Sequence, residues 1–213
     1  SALVGLLFIT GTPAQDFWQN SHGPEGGNVS AIVKTINGSL FAAAGGNRIY
    51  RIINNGYSWQ PLLDNSAPGH VNALATNSAG QIFAANSHGV YRSDDNGNTW
   101  SLFTNGLQNS NLVSLCIIEP DTLLAGSYGD GVFRSEDNGQ NWVSSNQGLN
   151  FSENDQINCF AVGYKGKIFA ALSNSGVILS DDNGRSWYSP WYPPGMENIN
   201  QLYKAGNDTM YAA

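Results

Sequence analysis

Apolar residues in this chain come in short runs, each closed within a few positions by Gly, Asn, Asp or Ser. Between Val71 and Phe103 that pattern predicts four strands, over Val71 to Thr76, Gln81 to Asn86, Gly89 to Ser93 and Thr99 to Phe103. Ser78-Ala79-Gly80, Ser87-His88 and Asp95-Asn96-Gly97 separate them, residue types that supply tight polar turns. Short strands joined so closely form an antiparallel meander. The inner strands read as near-continuous apolar runs, such as Val113-Ser114-Leu115-Cys116-Ile117-Ile118, which suits a sheet covered on both faces.

The same pattern returns about every 42 residues. Ser93-Asp94-Asp95-Asn96-Gly97-Asn98-Thr99-Trp100 recurs as Ser135-Glu136-Asp137-Asn138-Gly139-Gln140-Asn141-Trp142 and as Ser180-Asp181-Asp182-Asn183-Gly184-Arg185-Ser186-Trp187. A degenerate copy ends in Asn54-Asn55-Gly56-Tyr57-Ser58-Trp59, so the tryptophans stand 41, 42 and 45 positions apart. The flanks repeat too, with Ile82-Phe83-Ala84-Ala85 matching Leu40-Phe41-Ala42-Ala43, Leu123-Leu124-Ala125-Gly126 and Ile168-Phe169-Ala170-Ala171. One such unit cannot bury both faces of its sheet, whereas radial stacking of four-stranded sheets does. The expected fold is all-β, a β-propeller of four-stranded antiparallel blades. Units fall at about 23–65, 66–107, 108–150 and 151–196, with a fifth, 197–213, cut short.

Ser1 to Gln15 stands outside this pattern. Its apolar run from Ala2 to Ile9 is too short to span a bilayer and is followed by small and turn residues. It reads as the remnant of a secretory signal peptide, residues 1–15, which leaves 16–213 as the partial propeller and places the protein outside the cytoplasm. The alternative is a first buried strand. Composition then narrows the function classes. Nine basic against sixteen acidic residues give a net charge of −7, no footprint for nucleic acid. Only 12% of residues are charged while 11% are aromatic, the reverse of a disordered chain. Nothing in the mature chain reads as a membrane span, and no cofactor is called for.

The octapeptide Ser-x-Asp-x-Gly-x-Thr-Trp resembles the Asp-box, or BNR repeat, of propellers related to sialidases, sortilin-type receptors and xyloglucan-degrading hydrolases. That resemblance covers about Gly23 to Ala213 and implies a propeller of six to eight blades, of which this would be an N-terminal fragment. It implies less about function, because such relatives include enzymes and non-enzymes. The residues themselves point to a structural box. Asp95, Asp137 and Asp182 can accept backbone N–H bonds across the turn, and Gly97, Gly139 and Gly184 supply a positive φ. Trp100, Trp142 and Trp187 then pack beneath the hairpin. A calcium loop does not fit, because counting from Asp94 puts Gly97 fourth and Asn105 twelfth, against the glycine at six and glutamate at twelve of an EF-hand. Arg51, Arg92 and Arg134 hold one equivalent position in successive units and so point in different directions around a ring, which disfavours a convergent carboxylate clamp like a sialidase's. They are expected to pack or pair with acids.

With the boxes on the third turn of each meander, a ligand face belongs at the opposite end, on second turns and inter-unit links. His88 and Tyr128-Gly129-Asp130 fall on second turns, and His70, Glu153, Asp155 and Tyr188-Ser189-Pro190-Trp191-Tyr192-Pro193-Pro194 on links. Trp191 and Tyr192, with Tyr128 and His88, are the candidate ligand-binding residues, flat faces for a sugar ring or a protein. Asp130, Glu153 and Asp155 are the candidate carboxylates of a glycosidase, which needs a pair roughly 5 to 9.5 Å apart. Aligning Val113 with Ile157 points Cys116 and Cys159 in opposite directions, which disfavours a disulfide. His22, His70 and His88 lack metal-ligand spacing, and no metal site is expected. Two function classes remain: a non-enzymatic module binding carbohydrate or protein, and a glycoside hydrolase resembling the Asp-box xyloglucanases.

Overall fold

A computed structural model describes residues 28–46, 48–53, 58–63, 69–107, 111–118, 121–149, 155–189, 198–205 and 209–213 of the 213-residue chain. The first sheet comprises β1 (Val29–Lys34), β2 (Leu40–Ala44), β3 (Arg48–Ile53) and β4 (Ser58–Leu63), each pairing antiparallel with the next. The second comprises β5 (Ala73–Thr76), β6 (Ile82–Asn86), β7 (Gly89–Ser93) and β8 (Ser101–Phe103), and the third β9 (Leu112–Ile118), β10 (Thr122–Ser127), β11 (Val132–Ser135) and β12 (Val143–Ser144). In the fourth, β13 (Ile157–Val162), β14 (Ile168–Leu172) and β15 (Gly176–Ser180) are followed by Tyr188, whose backbone exchanges two 2.9 Å hydrogen bonds with Leu179 where a fourth strand would lie. β16 (Leu202–Ala205) and β17 (Thr209–Ala212) form a fifth, two-stranded sheet. The meanders are the blades of a β-propeller.

Each blade buries its faces against its neighbours. Within β9 the period-2 alternation of a strand divides the apolar run, with Leu115 and Ile117 packed toward the second blade and Cys116 and Ile118 toward the fourth. The inner strands are the most enclosed: every residue of β6, β11 and β15 is buried, with Phe83, Leu123 and Leu124 on β6 and β10 fully out of solvent. Burying one such side chain contributes about 1.5–3 kcal/mol.

Strand pairing corrects one expected alignment. Leu112 rather than Val113 matches Ile157, because Leu112 pairs with Ser127 and Ile157 with Leu172, the corresponding ends of their second strands. The same bulge follows each, so the two strands stay in step beyond it. Ser114 then aligns with Cys159, and Cys116 lies two positions further along. The sulfurs therefore share one orientation, each toward the blade that follows, instead of opposite ones. Both thiols are free, and burial pushes that of Cys116 up to about 12.

Candidate functional site

At one end of the blades the repeated octapeptide folds into the same turn three times. Asn96, Asn138 and Asn183 have φ near +60° and the following Gly97, Gly139 and Gly184 φ of +85°, +84° and +77°, the two left-handed central residues of a tight turn within the loop that follows each third strand. The sequence anticipated the glycines; the asparagines, which tolerate this region better than other non-glycine residues, share it. Ser93 Oγ donates to Asp95 Oδ1 at 2.9 Å and accepts from Gly97 N at 2.8 Å. Asp95 in turn accepts from Thr99 N at 2.8 Å and Thr99 Oγ1 at 2.7 Å. Ser135, Asp137 and Asn141 repeat this set, as do Ser180, Asp182 and Ser186. Every carboxylate oxygen of the three aspartates is thus engaged within its own turn.

Ionisation follows from that geometry. Burial opposes the charge on Asp182, yet hydrogen bonds from the side chain and backbone of Ser186, with those of Ser180 and Arg185 N, hold its carboxyl at about 2. Bonds from the Thr99 hydroxyl and amide hold the Asp95 carboxyl below the usual aspartate range, and although burial opposes its charge, bonds from Asn141 do the same for Asp137. Trp142 and Trp187 are buried beneath the turns; Trp100 and Trp142 donate Nε1–H to Gly97 O and Gly139 O at 3.0 and 2.9 Å.

The aligned arginines tie consecutive blades. Arg51 and Arg92 Nη1 donate to Asn96 O and Asn138 O at 3.0 Å, and Arg134 Nε to Asn183 O at 2.8 Å, in each case the left-handed asparagine of the next blade's turn. Arg92 and Arg134 also pair with Asp94 and Glu136, and Arg185 reaches Glu136 from the fourth blade. A second line of ties runs along the first strands, where Ser30, Asn72, Ser114 and Asn158 side chains donate to the carbonyls of Val71, Leu112, Ile157 and Ile199. These acceptors are equivalent residues. In the third blade the bulge residue is Val113, and its neighbour Ser114 supplies the donor.

The other end is built differently. Tyr128 is anchored by its backbone, N–H to Asn111 O at 2.9 Å and a bridge to Gln156, while its side chain is 47% exposed. Gly129 N donates to Asp155 O at 2.9 Å, and Asn146 Nδ2 to Asp130 O at 2.9 Å, so Tyr128, Asp130 and Asp155 gather where the third and fourth blades meet. Asp130 is exposed, whereas Asp155 is 2% exposed and accepts from Ser175 Oγ at 2.8 Å. His88 is exposed on the second blade's turn, with Ser87 Oγ 3.1 Å from its Nδ1 and its own N–H on Asn86 Oδ1. Glu153, Trp191 and Tyr192 lie outside the described residues. Sequence reasoning placed Ser175 on a second turn but missed Asn111 and Gln156, which hold these loops, since nothing in their local pattern marks them. Among the described residues there is no group of three or more metal-ligating side chains and no helix long and apolar enough to cross a membrane.

No protein-family model and no curated protein sequence matches the chain. Solved structures do, by shape. Virginiamycin B lyase from Staphylococcus aureus superposes with a TM-score of 0.72 at 13% identity, over 86% of this chain and 62% of its own. The extracellular domain of a putative hybrid two-component system from B. thetaiotaomicron gives 0.70 at 13%, over 95% and 27%. A GH74 enzyme from Niastella koreensis gives 0.68 at 20%, over 88% and 33%. The chain thus spans between 27% and 62% of the length of these structures. Such likenesses show the β-propeller fold.

Proposed function

We propose that the chain is part of an extracytoplasmic Asp-box propeller that binds a carbohydrate or protein ligand, without turnover, on the loop face opposite the boxes. The observation that carries this reading is the contrast between the two ends. The box aspartates spend their hydrogen-bonding capacity on their own turns, whereas the opposite end holds Tyr128 rigid by its backbone and leaves its ring open. A fixed, exposed aromatic beside amides and a carboxylate gives a flat apolar platform with a polar rim. Trp191 and Tyr192 remain candidate ligand contacts in this reading on the strength of the sequence. An extracellular domain among the structural neighbours agrees with the location.

A hydrolase reading draws on one observation: the GH74 enzyme's 20% identity stands above the 13% of the other two neighbours. Asp130 would then be the exposed acid, with Glu153 or Asp155 as its partner. A glycan array read alongside a hydrolysis screen separates the two. Binding that falls at least tenfold in Tyr128→Ala and Trp191→Ala, with no turnover, is the expected result. Turnover abolished by Asp130→Asn would overturn the binding-module reading in favour of the hydrolase.

A further inference from the structure

Asn-Gly occurs six times in the chain, beginning at Asn37, Asn55, Asn96, Asn105, Asn138 and Asn183, and all but the pair at Asn55 lie within the described residues. The dipeptide carries a reaction of its own. The glycine nitrogen gives its proton to a solvent base and attacks Cγ of the asparagine side chain. A C–N bond forms, the Cγ–Nδ2 bond breaks, and the side-chain nitrogen, protonated by solvent, leaves as ammonia. Water then opens the resulting five-membered imide at either carbonyl, giving aspartate or its backbone-lengthened isomer, isoaspartate. Glycine favours the attack because no Cβ hinders it. The sequence treats the six pairs alike; the fold does not.

The three pairs in the octapeptide turns are closed to this chemistry. Gly97 N, Gly139 N and Gly184 N donate to Ser93, Ser135 and Ser180 Oγ at 2.8, 2.9 and 2.8 Å, and all three glycines are buried, so the attacking nitrogen keeps its proton out of reach of solvent. The asparagine carbonyls are held by Arg51, Arg92 and Arg134, which fixes the peptide between the two residues. Asn105-Gly106 is exposed but pinned to the third blade. Asn105 O accepts from Trp142 N at 3.0 Å, its Nδ2 donates to Asn141 Oδ1, and a Cβ at Gly106 would stand 1.9 Å from Trp142 O.

Asn37-Gly38, in the turn between β1 and β2, has neither protection. Both residues are exposed, and a Cβ at Gly38 would meet nothing within 4 Å. Gly38 N donates to Thr35 O at 2.9 Å, on a turn open to water. The Asn37 side chain folds back over its own backbone, where Oδ1 accepts from Ser39 N at 3.2 Å and from Thr35 Oγ1. Thr35 is buried, which fixes its hydroxyl. Both donors face the oxygen that gains charge when Cγ is attacked, as the donors of an oxyanion hole do.

We propose that Asn37 is a site of spontaneous covalent modification of the folded protein, converting through the cyclic imide to aspartate and isoaspartate, while the octapeptide asparagines stay amides as long as the blades remain packed. The isoaspartate form adds a backbone carbon between Asn37 and Gly38, which displaces the 2.9 Å bond from Thr35 N to Ser39 O at the start of the β1–β2 ladder. The proposal concerns the first blade's turn alone and is independent of any ligand at the opposite end.

Peptide mass mapping of the chain held in mildly alkaline buffer, folded and in urea, tests it. In the folded protein Asn37 should lose its amide at least about tenfold faster than Asn96, Asn138 and Asn183, whose turns react only after local opening. In urea the four rates should converge, since the dipeptide is the same. Thr35→Val leaves Oδ1 with Ser39 N alone and should slow Asn37 about threefold in the folded chain, the scale of one hydrogen bond. Equal rates at the four sites in the folded protein, or a preference for Asn37 that persists in urea, would overturn the proposal. Conversion unchanged by Thr35→Val would overturn the part given to the two donors.

Discussion

The two ends of the blades use similar residues to opposite effect. At the turn end, Asp95, Asp137 and Asp182 are closed off by bonds within their own octapeptides, and the next layer of contacts, from Arg51, Arg92 and Arg134, reaches across to the adjoining blade. At the loop end the backbone does the holding, through Tyr128 and Gly129, and the Tyr128, Asp130 and His88 side chains face outward. Aspartate and aromatic residues occur at both ends. What separates a structural from an available side chain is whether its polar atoms are satisfied locally, and the turn end meets that condition three times over.

Substitutions at the turn end should therefore act on stability. Behind it, Gly106 packs on the next blade: at φ +85° its Cβ would lie 1.9 Å from Trp142 O, so Gly106→Ala is expected to cost about 3 kcal/mol or more in urea unfolding. Gly166→Ala, at φ +77° with nothing within 4 Å, should cost only about 1 kcal/mol. Equal costs would mean that the blade contact is not what Gly106 serves.

Arg134 is buried, and its removal leaves Asn183 O without its donor and Glu136 with Arg185 alone, so Arg134→Met should cost about 1–3 kcal/mol, read by the same unfolding. A loss below about 0.5 kcal/mol, the scale of a neutral surface change, would reduce the clasp to decoration.

The pH dependence sharpens the comparison further. Asp182 has its folded-state value lowered to about 2, so its stabilising contribution is fully present above the ordinary aspartate range near 4 and is lost as pH falls toward 2. Wild type and Asp182→Asn should accordingly differ most near neutral pH and converge in acid. Curves that diverge on acidification would reverse the sign. Smallest in stability is Tyr128→Ala, expected within about 0.5 kcal/mol of wild type because the backbone carries its anchoring bonds.

How much of this was legible in the sequence depended on range. The octapeptide turn joins residues two to four apart, so Ser93, Asp95 and Gly97 announced their geometry directly. The clasp of Arg92 on Asn138 O spans 46 residues; the repeat revealed that the arginines are equivalent, but not what they hold. The inner ties, such as Ser114 to Ile157 O across 43 residues, lie beyond any local pattern, and a count begun at Val113 rather than Leu112 misaligned Cys116 with Cys159. Counting turns put Tyr128 and Asp130 at the end opposite the boxes, where they lie, while the burial of Asp155 beneath Ser175 depends on a link between blades that no local pattern encodes.

The most direct test sets one aspartate-turn variant against one loop variant in two assays. Asp137→Ala and Tyr128→Ala would each be measured for unfolding midpoint and for ligand retention on a glycan array well below that midpoint. The account predicts a lowered midpoint with retained binding for Asp137→Ala, and an unchanged midpoint with binding lost at least tenfold for Tyr128→Ala. Binding lost in Asp137→Ala at an unchanged midpoint would contradict it, and would move the functional face to the turn end.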